Sequence, residues 1–122
     1  MKKIVIVGGG ASGMMAAIAA TKENPAAKIR ILERKDLPGK KILSTGRCNF
    51  TNQVMNVNCF FSDTPNGIEE VLQQFGTKET LDVFSDLGIL PKDRNGYYYP
   101  RSDQASSIVS VLRTRLQQAG VE

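Results

Sequence analysis

The sequence predicts an α/β fold organised on a short parallel sheet, and three stretches carry the prediction. Lys3-Ile4-Val5-Ile6-Val7 holds a run of four apolar, β-branched residues, the pattern of a short strand buried on both faces. Directly behind it, Gly8-x-Gly10-x-x-Gly13 opens into Met14-Met15-Ala16-Ala17-Ile18-Ala19-Ala20, a strong helix former. Asn24-Pro25 then breaks the chain, and Lys28-Ile29-Arg30-Ile31-Leu32-Glu33 reads as a second strand. Strand, glycine turn, helix and strand in this order make a Rossmann-like unit.

Each glycine of the turn has its own physical task. Gly8 lets the chain leave the strand sharply, and Gly10 lets a pyrophosphate approach the backbone. Gly13 removes a side chain where the helix lies close on the sheet. The N–H groups of the first helical turn, around Ala11, Ser12 and Gly13, have no partner within the helix and carry the positive end of its dipole towards the phosphates. Glu33 falls twenty positions beyond Gly13, where a carboxylate accepts hydrogen bonds from the adenosine ribose. Taken together, these residues point to a dinucleotide-binding site.

Composition bounds the alternatives. A chain of 122 residues is one domain's worth, and 41% hydrophobic with 23% charged residues is the balance of a soluble globular protein. The net charge of +4 comes without a long basic run or aromatic-basic interleaving, so no nucleic-acid partner is expected. Cys48 and Cys59 have neither redox-motif nor metal-site spacing and read as a reduced pair. With no histidine, Ser-His and Cys-His catalysis and His-ligated metals are excluded within these residues, and no metal site is expected. Met1-Lys2-Lys3 before an apolar run superficially resembles a signal peptide, but the glycines at 8–10 interrupt it after four apolar residues. No stretch approaches transmembrane length, so no membrane partner and a cytoplasmic location are expected.

Beyond the second strand, Arg34 to Lys41 is a turn-rich basic loop leading into Ile42-Leu43-Ser44-Thr45-Gly46-Arg47-Cys48-Asn49-Phe50-Thr51-Asn52. Five cations and one carboxylate lie between Arg34 and Arg47, with hydroxyls at Ser44 and Thr45 and amides at Asn49 and Asn52. Such a segment suits closure over a pyrophosphate and a polyol, and composition fits an ordinary solvated loop equally well. From Phe60 onward short helices follow. One is capped by Thr64-Pro65, carries Ile68, Val71, Leu72 and Phe75 on one face and ends at Gly76. A second runs from Thr77 through Leu81, Val83, Phe84 and Leu87 to Gly88. Asn95-Gly96, between Leu90–Arg94 and Tyr97–Tyr99, is a strong two-residue hairpin signal. The three tyrosines read either as a stacking platform or, on alternation, as a two-stranded ribbon with one or two rings packed inward. A third helix begins at Ser102 or Asp103 and reaches Gly120 through Ile108, Val109, Val111, Leu112 and Leu116. No internal repeat, low-complexity tract or linker is visible.

Two of these stretches carry a resemblance. Gly39-Lys40-Lys41-Ile42-Leu43-Ser44-Thr45-Gly46-Arg47-Cys48-Asn49-Phe50-Thr51-Asn52 resembles the signature that follows the ribose-binding acid in a bacterial family of FAD-dependent oxidoreductases, often labelled aminoacetone-oxidase-family flavoproteins. Asn95-Gly96-Tyr97-Tyr98-Tyr99-Pro100-Arg101-Ser102-Asp103-Gln104-Ala105-Ser106 is similar to a second signature of the same family. With the glycine turn and Glu33, the resemblance runs along essentially the whole chain. The family usually reads Thr/Ser-Gly-x-Gly-Arg-Cys-Asn, two residues longer than Thr45-Gly46-Arg47-Cys48-Asn49.

The resemblance implies a glutathione-reductase-like, Rossmann-like FAD-binding domain, with a helical segment and β-hairpin inserted between its second and third strands. Residues 1–52 would form the dinucleotide-binding core and basic loop, and 60–120 the excursion. Gly8, Gly10, Ala11, Ser12 and Gly13 would take the pyrophosphate and Glu33 the ribose, with Arg34 and Lys35 beside it. Lys41, Thr45, Gly46, Arg47, Cys48 and Asn49 would wrap the diphosphate and ribityl region. FAD is the expected cofactor, with NAD(P)H as candidate electron donor. No catalytic acid, base or substrate is identified. A nucleotide-binding module without turnover and an NAD(P)-dependent dehydrogenase fragment are the alternatives. The family is roughly three times this length, so the substrate domain is expected to be absent and the parallel sheet truncated. Ala119-Gly120-Val121-Glu122 reads as a helix end followed by a third strand cut before it pairs, leaving an open edge for association between chains.

Overall fold

In the computed structural model, which describes residues 1–122, β1 (Lys3–Val7) runs parallel to β2 (Lys28–Leu32), with Ile4 opposite Ile29 and Ile6 opposite Ile31. Helix α1 (Ala11–Glu23) connects them. It stops at Asn24, whose N–H donates to the Ala20 carbonyl at 2.9 Å, and Pro25 follows where a helix cannot continue. The later elements are α2 (Lys40–Leu43), β3 (Thr51–Asn52), a 3₁₀ turn (Val57–Cys59), α3 (Pro65–Gln74), α4 (Thr77–Asp86), β4 (Pro91–Arg94), β5 (Tyr97–Pro100) and α5 (Ala105–Gln118). The Rossmann-like α/β architecture read from the sequence is the one present.

The chain divides into two compact units, Met1–Cys48 with Ser102–Glu122, and Asn49–Arg101. The second unit therefore begins before residue 60 and ends before residue 120, because β3 lies within it and α5 belongs to the unit that holds the parallel sheet. Its stripe of Ala105, Ile108, Val109, Leu112 and Leu116 is buried, and α5 lies against α1 and α2. Met14 and Ala17 of α1 and Ile29 of β2 complete this core. Full burial of each larger side chain contributes about 1.5–3 kcal/mol, enough to make α5 integral to the unit.

Only one face of the two strands is covered. Ile29 is buried and Ile4, Ile6 and Ile31 are half-buried, whereas Val5, Val7 and Leu32 are exposed on the opposite face. The expectation of strands buried on both faces is corrected here: within their own unit, Val5, Val7 and Leu32 are left without cover. Pairing at the outer edge of β2 also differs from expectation. Glu122 N–H donates to the Ile29 carbonyl at 3.0 Å, and Ile31 N–H donates to the Glu122 carbonyl at 2.7 Å. A third strand thus begins to pair, and the Glu122 carboxylate bridges Lys28 and Arg30 at 2.8 and 2.5 Å. The free edge is that of β1, which pairs with β2 alone.

The second unit is built on an antiparallel sheet ordered β3-β5-β4. Asn95 and Gly96 both take positive φ, 54° and 85°, as a type I′ hairpin requires. The ribbon has three strands, because Thr51 and Asn52 pair with Tyr98 and Tyr97. Tyr98 and Tyr99 are half-buried and Tyr97 is exposed. The Phe50 and Phe84 rings meet at 4.9 Å, and Thr77 Oγ1 donates to the Asn52 carbonyl at 2.6 Å. Gly76 caps α4 instead of only ending α3, its N–H donating to Glu79 at 2.9 Å. Thr64 precedes α3 at the cap position but makes no side-chain cap bond.

Candidate functional site

The glycine turn between β1 and α1 is held by its own backbone. Gly8 has φ +99°, a conformation side chains resist, and its N–H donates to the Leu32 carbonyl at 2.8 Å. A Cβ at Gly13 would collide with the Gly8 carbonyl oxygen and lie 3.5 Å from Ile6 Cγ2, so α1 meets both the turn and β1 here. Gly10 is different: its φ of −77° suits any residue, and nothing lies within 4 Å of a Cβ built there. Space is open in front of the first turn of α1, which contains no acidic residue. Ala11 and Ser12 are exposed at its start, and Gly13 is buried behind them.

Glu33 follows β2 directly and is half-buried. Its Oε2 accepts the Gly9 N–H at 2.6 Å and its Oε1 accepts the Lys35 N–H at 2.8 Å. These backbone donors, Lys35 ahead of Gly9, hold its carboxyl below the usual glutamate range. The group is a fixed carboxylate at neutral pH, with lone pairs left for further donors. Arg34 and Lys35 are exposed beside it. A cleft of about 440 Å³ borders Glu33 and is walled by Ile31, Leu37, Leu116 and Arg113.

The basic segment is not wholly a loop. Gly39 (φ +82°) starts the short helix α2, whose Ile42 is buried. Gly39 N–H donates to the Gly9 carbonyl at 2.7 Å, so this segment begins against the glycine turn. The hydroxyls of Ser44 and Thr45 donate to the carbonyls of Lys41 and Ile42, each at 2.7 Å, which occupies them in closing α2. Lys40 pairs with Asp36 at 2.6 Å, while Lys41 and Arg47 are exposed. Gly46 has φ +76°, and its carbonyl accepts the Ala105 N–H at 2.8 Å. Cys48 adopts φ 62° and is half-buried; burial raises its thiol pKa, so it stays protonated at neutral pH. Asn49 belongs to the second unit, where its amide donates to the Thr51 and Tyr98 carbonyls at 2.8 and 3.0 Å.

Two residues escape sequence reasoning. Gly9 occupies an unassigned position of the fingerprint, yet a Cβ there would stand 2.8 Å from Pro38 Cβ and 3.0 Å from Glu33 Oε2. The run of three glycines was its only signal. Arg113 of α5 donates through Nε and Nη2 to the Pro38 carbonyl at 2.7 and 2.5 Å. Nothing in the sequence links residues that are 75 positions apart.

Fold and turn together define a Rossmann-type α/β domain. Residues 2–122 match the family described as HI0933-like protein Rossmann domain, and the chain belongs to that family. It is 48% identical over 124 aligned residues to a 3-dehydro-bile acid delta(4,6)-reductase of Clostridium scindens, covering all of this chain and 30% of that protein. It is 27% identical over 119 residues to the ribosomal RNA dihydrouridine synthase of Escherichia coli, covering 96% of this chain and 29% of that protein. The chain thus spans about 30% of the length of these curated relatives. The crystal structure of Thermovibrio ammonificans THI4 superposes with a TM-score of 0.55 at 21% identity, covering 99% of this chain and 37% of that one, a likeness of fold. No helix is long and apolar enough to cross a membrane.

Proposed function

We propose that the chain is the FAD-binding portion of a flavin-dependent oxidoreductase, holding the adenosine and pyrophosphate end of the cofactor. The observation that carries this reading is the join between turn and acid: the Gly9 N–H on Glu33, next to an open Gly10 and the unpartnered start of α1. The residues fit the group. Gly10 leaves space that a side chain would fill, the N–H groups of Ala11, Ser12 and Gly13 suit phosphate, and the Glu33 carboxylate suits ribose hydroxyls. The apolar walls of the cleft beside Glu33 suit a flat base. Bound FAD would supply the redox chemistry, with the protein contributing binding and orientation.

The relatives support the same division of labour. One is named for a bile acid and the other for a ribosomal RNA, yet both match this chain along nearly all its length. A part shared by proteins with such different substrates suits a common cofactor, with substrate recognition assigned to the rest of their length. NAD(P)H is the electron donor this reading assigns to the longer protein. Calorimetric titration with FAD, NAD and NADP, together with the visible absorption spectrum, tests the proposal. FAD is expected to bind tightest; tighter binding of NADP or NAD overturns it.

A further inference from the structure

The guanidinium of Arg113 has a single backbone target. Two N–H groups of one cation on the Pro38 carbonyl are charge-assisted and fix that acceptor in direction as well as distance. The peptide so held is the one that closes on the glycine turn. Gly39 N–H donates to the Gly9 carbonyl at 2.7 Å, and Pro38 packs over Gly9 so closely that a Cβ there would be 2.8 Å from its own. The Gly9 N–H in turn reaches Glu33 at 2.6 Å. One path of hydrogen bonds and packing therefore runs from α5 through Pro38-Gly39 and Gly9 to the acid.

Anchoring of α5 does not account for this arrangement. Five buried apolar residues already fasten that helix, whereas the Pro38-Gly39 peptide sits in a turn next to exposed Asp36 and Leu37. What Arg113 determines is where that peptide stands, and hence how Gly9 presents its N–H.

We infer that Arg113 is a positioning residue for ribose recognition: through Pro38-Gly39 and Gly9 it holds the Glu33 carboxylate in the orientation that accepts the nucleotide's ribose hydroxyls. The inference rests on Glu33 being the ribose acceptor, as proposed above.

The test uses two readouts on the full chain. Without ligand, amide hydrogen exchange followed by NMR in Arg113→Met should show about tenfold faster exchange at Gly9, with the interior amides of α1 and α5 unchanged. With ligand, ADP is compared with 2′,3′-dideoxy-ADP by calorimetry. The parent should prefer ADP; Arg113→Met should lose about tenfold in ADP affinity and stay within about twofold for the dideoxy analogue. Arg113→Lys, which retains a donor for Pro38, should show a smaller loss confined to ADP; it decides the matter if the methionine variant fails to fold. Equal losses on both ligands, or unchanged Gly9 exchange and ADP preference, overturn the inference. A parent that binds ADP and its dideoxy analogue equally overturns the reading of Glu33 and this inference with it.

Discussion

The glycine turn and the segment from Lys40 to Cys48 are both polar and rich in turns, and both were expected to face the same phosphates. They offer their hydrogen-bond donors in different ways. At the turn, the donors are main-chain N–H groups at the start of α1, which have no partner inside a helix and cannot rotate away. In the second segment the neutral donors are side chains, and α2 takes two of them: Ser44 and Thr45 bond to carbonyls of their own last turn. What remains there is charge, at Lys41 and Arg47. A count of donors in a sequence says nothing of which are already satisfied, whereas glycine spacing before a helix commits the backbone itself.

The largest effect should come from Gly13. A Cβ there meets the Gly8 carbonyl oxygen, backbone against backbone, so no side chain can yield. Gly13→Ala is expected to destabilise the chain by about 3 kcal/mol or more, read from urea unfolding. Gly10 supplies the contrast. Its backbone suits any residue and its surroundings are open, so Gly10→Val should leave the melting temperature nearly unchanged while lowering FAD affinity by about a hundredfold or more. A valine variant that binds FAD like the parent would place the phosphates elsewhere.

How much was legible follows the range of each interaction. β1, α1, β2 and the roles of Gly8 and Gly13 rest on neighbours within a few residues, and the Asn95-Gly96 turn is likewise local. The short strand β3 was missed because two residues have no periodicity of their own; they form a strand only by pairing with Tyr97 and Tyr98. Exposure of Val5, Val7 and Leu32 was missed for the opposite reason, since an apolar run states what a strand can bury and not what covers it. At the candidate site, Glu33 was visible from its spacing, while its grip on Gly9 and the role of Arg113 depend on contacts across the fold.

Glu33 sharpens the comparison, because it belongs to the turn although it follows β2. Glu33→Ala should weaken nucleotide binding by about tenfold, the scale of charge-assisted hydrogen bonds to hydroxyls. It should also change the pH dependence of stability. The N–H groups of Lys35 and Gly9 depress its folded pKa below the ordinary value of about 4.3. The resulting stabilisation is therefore present at neutral pH and lost as pH falls through the folded pKa. The melting-temperature gap between the parent and Glu33→Gln should be constant above about pH 5 and shrink in more acidic solution. A gap unchanged down to about pH 2 would show that the bonds to Gly9 and Lys35 do not depend on the carboxylate's charge.

The smallest effects belong to the second segment and separate its charges from its hydroxyls. Lys41 and Arg47 are exposed, so any pull they exert on a bound phosphate would be screened by salt. Arg47→Ala and Lys41→Ala should each lower FAD affinity by only about two- to fivefold, and each should flatten the fall of affinity with ionic strength. Thr45→Val should do the reverse. It removes the bond to the Ile42 carbonyl at 2.7 Å, lowering stability by about 0.5–1.5 kcal/mol, while affinity and its salt dependence stay as in the parent. Calorimetric titrations at low and high salt, with melts of all three variants, read both quantities. If Thr45→Val costs as much affinity as Arg47→Ala, the hydroxyl turns from α2 to the ligand on binding, and the contrast between the two segments disappears. A salt-independent affinity in the parent would remove Lys41 and Arg47 from the phosphates altogether.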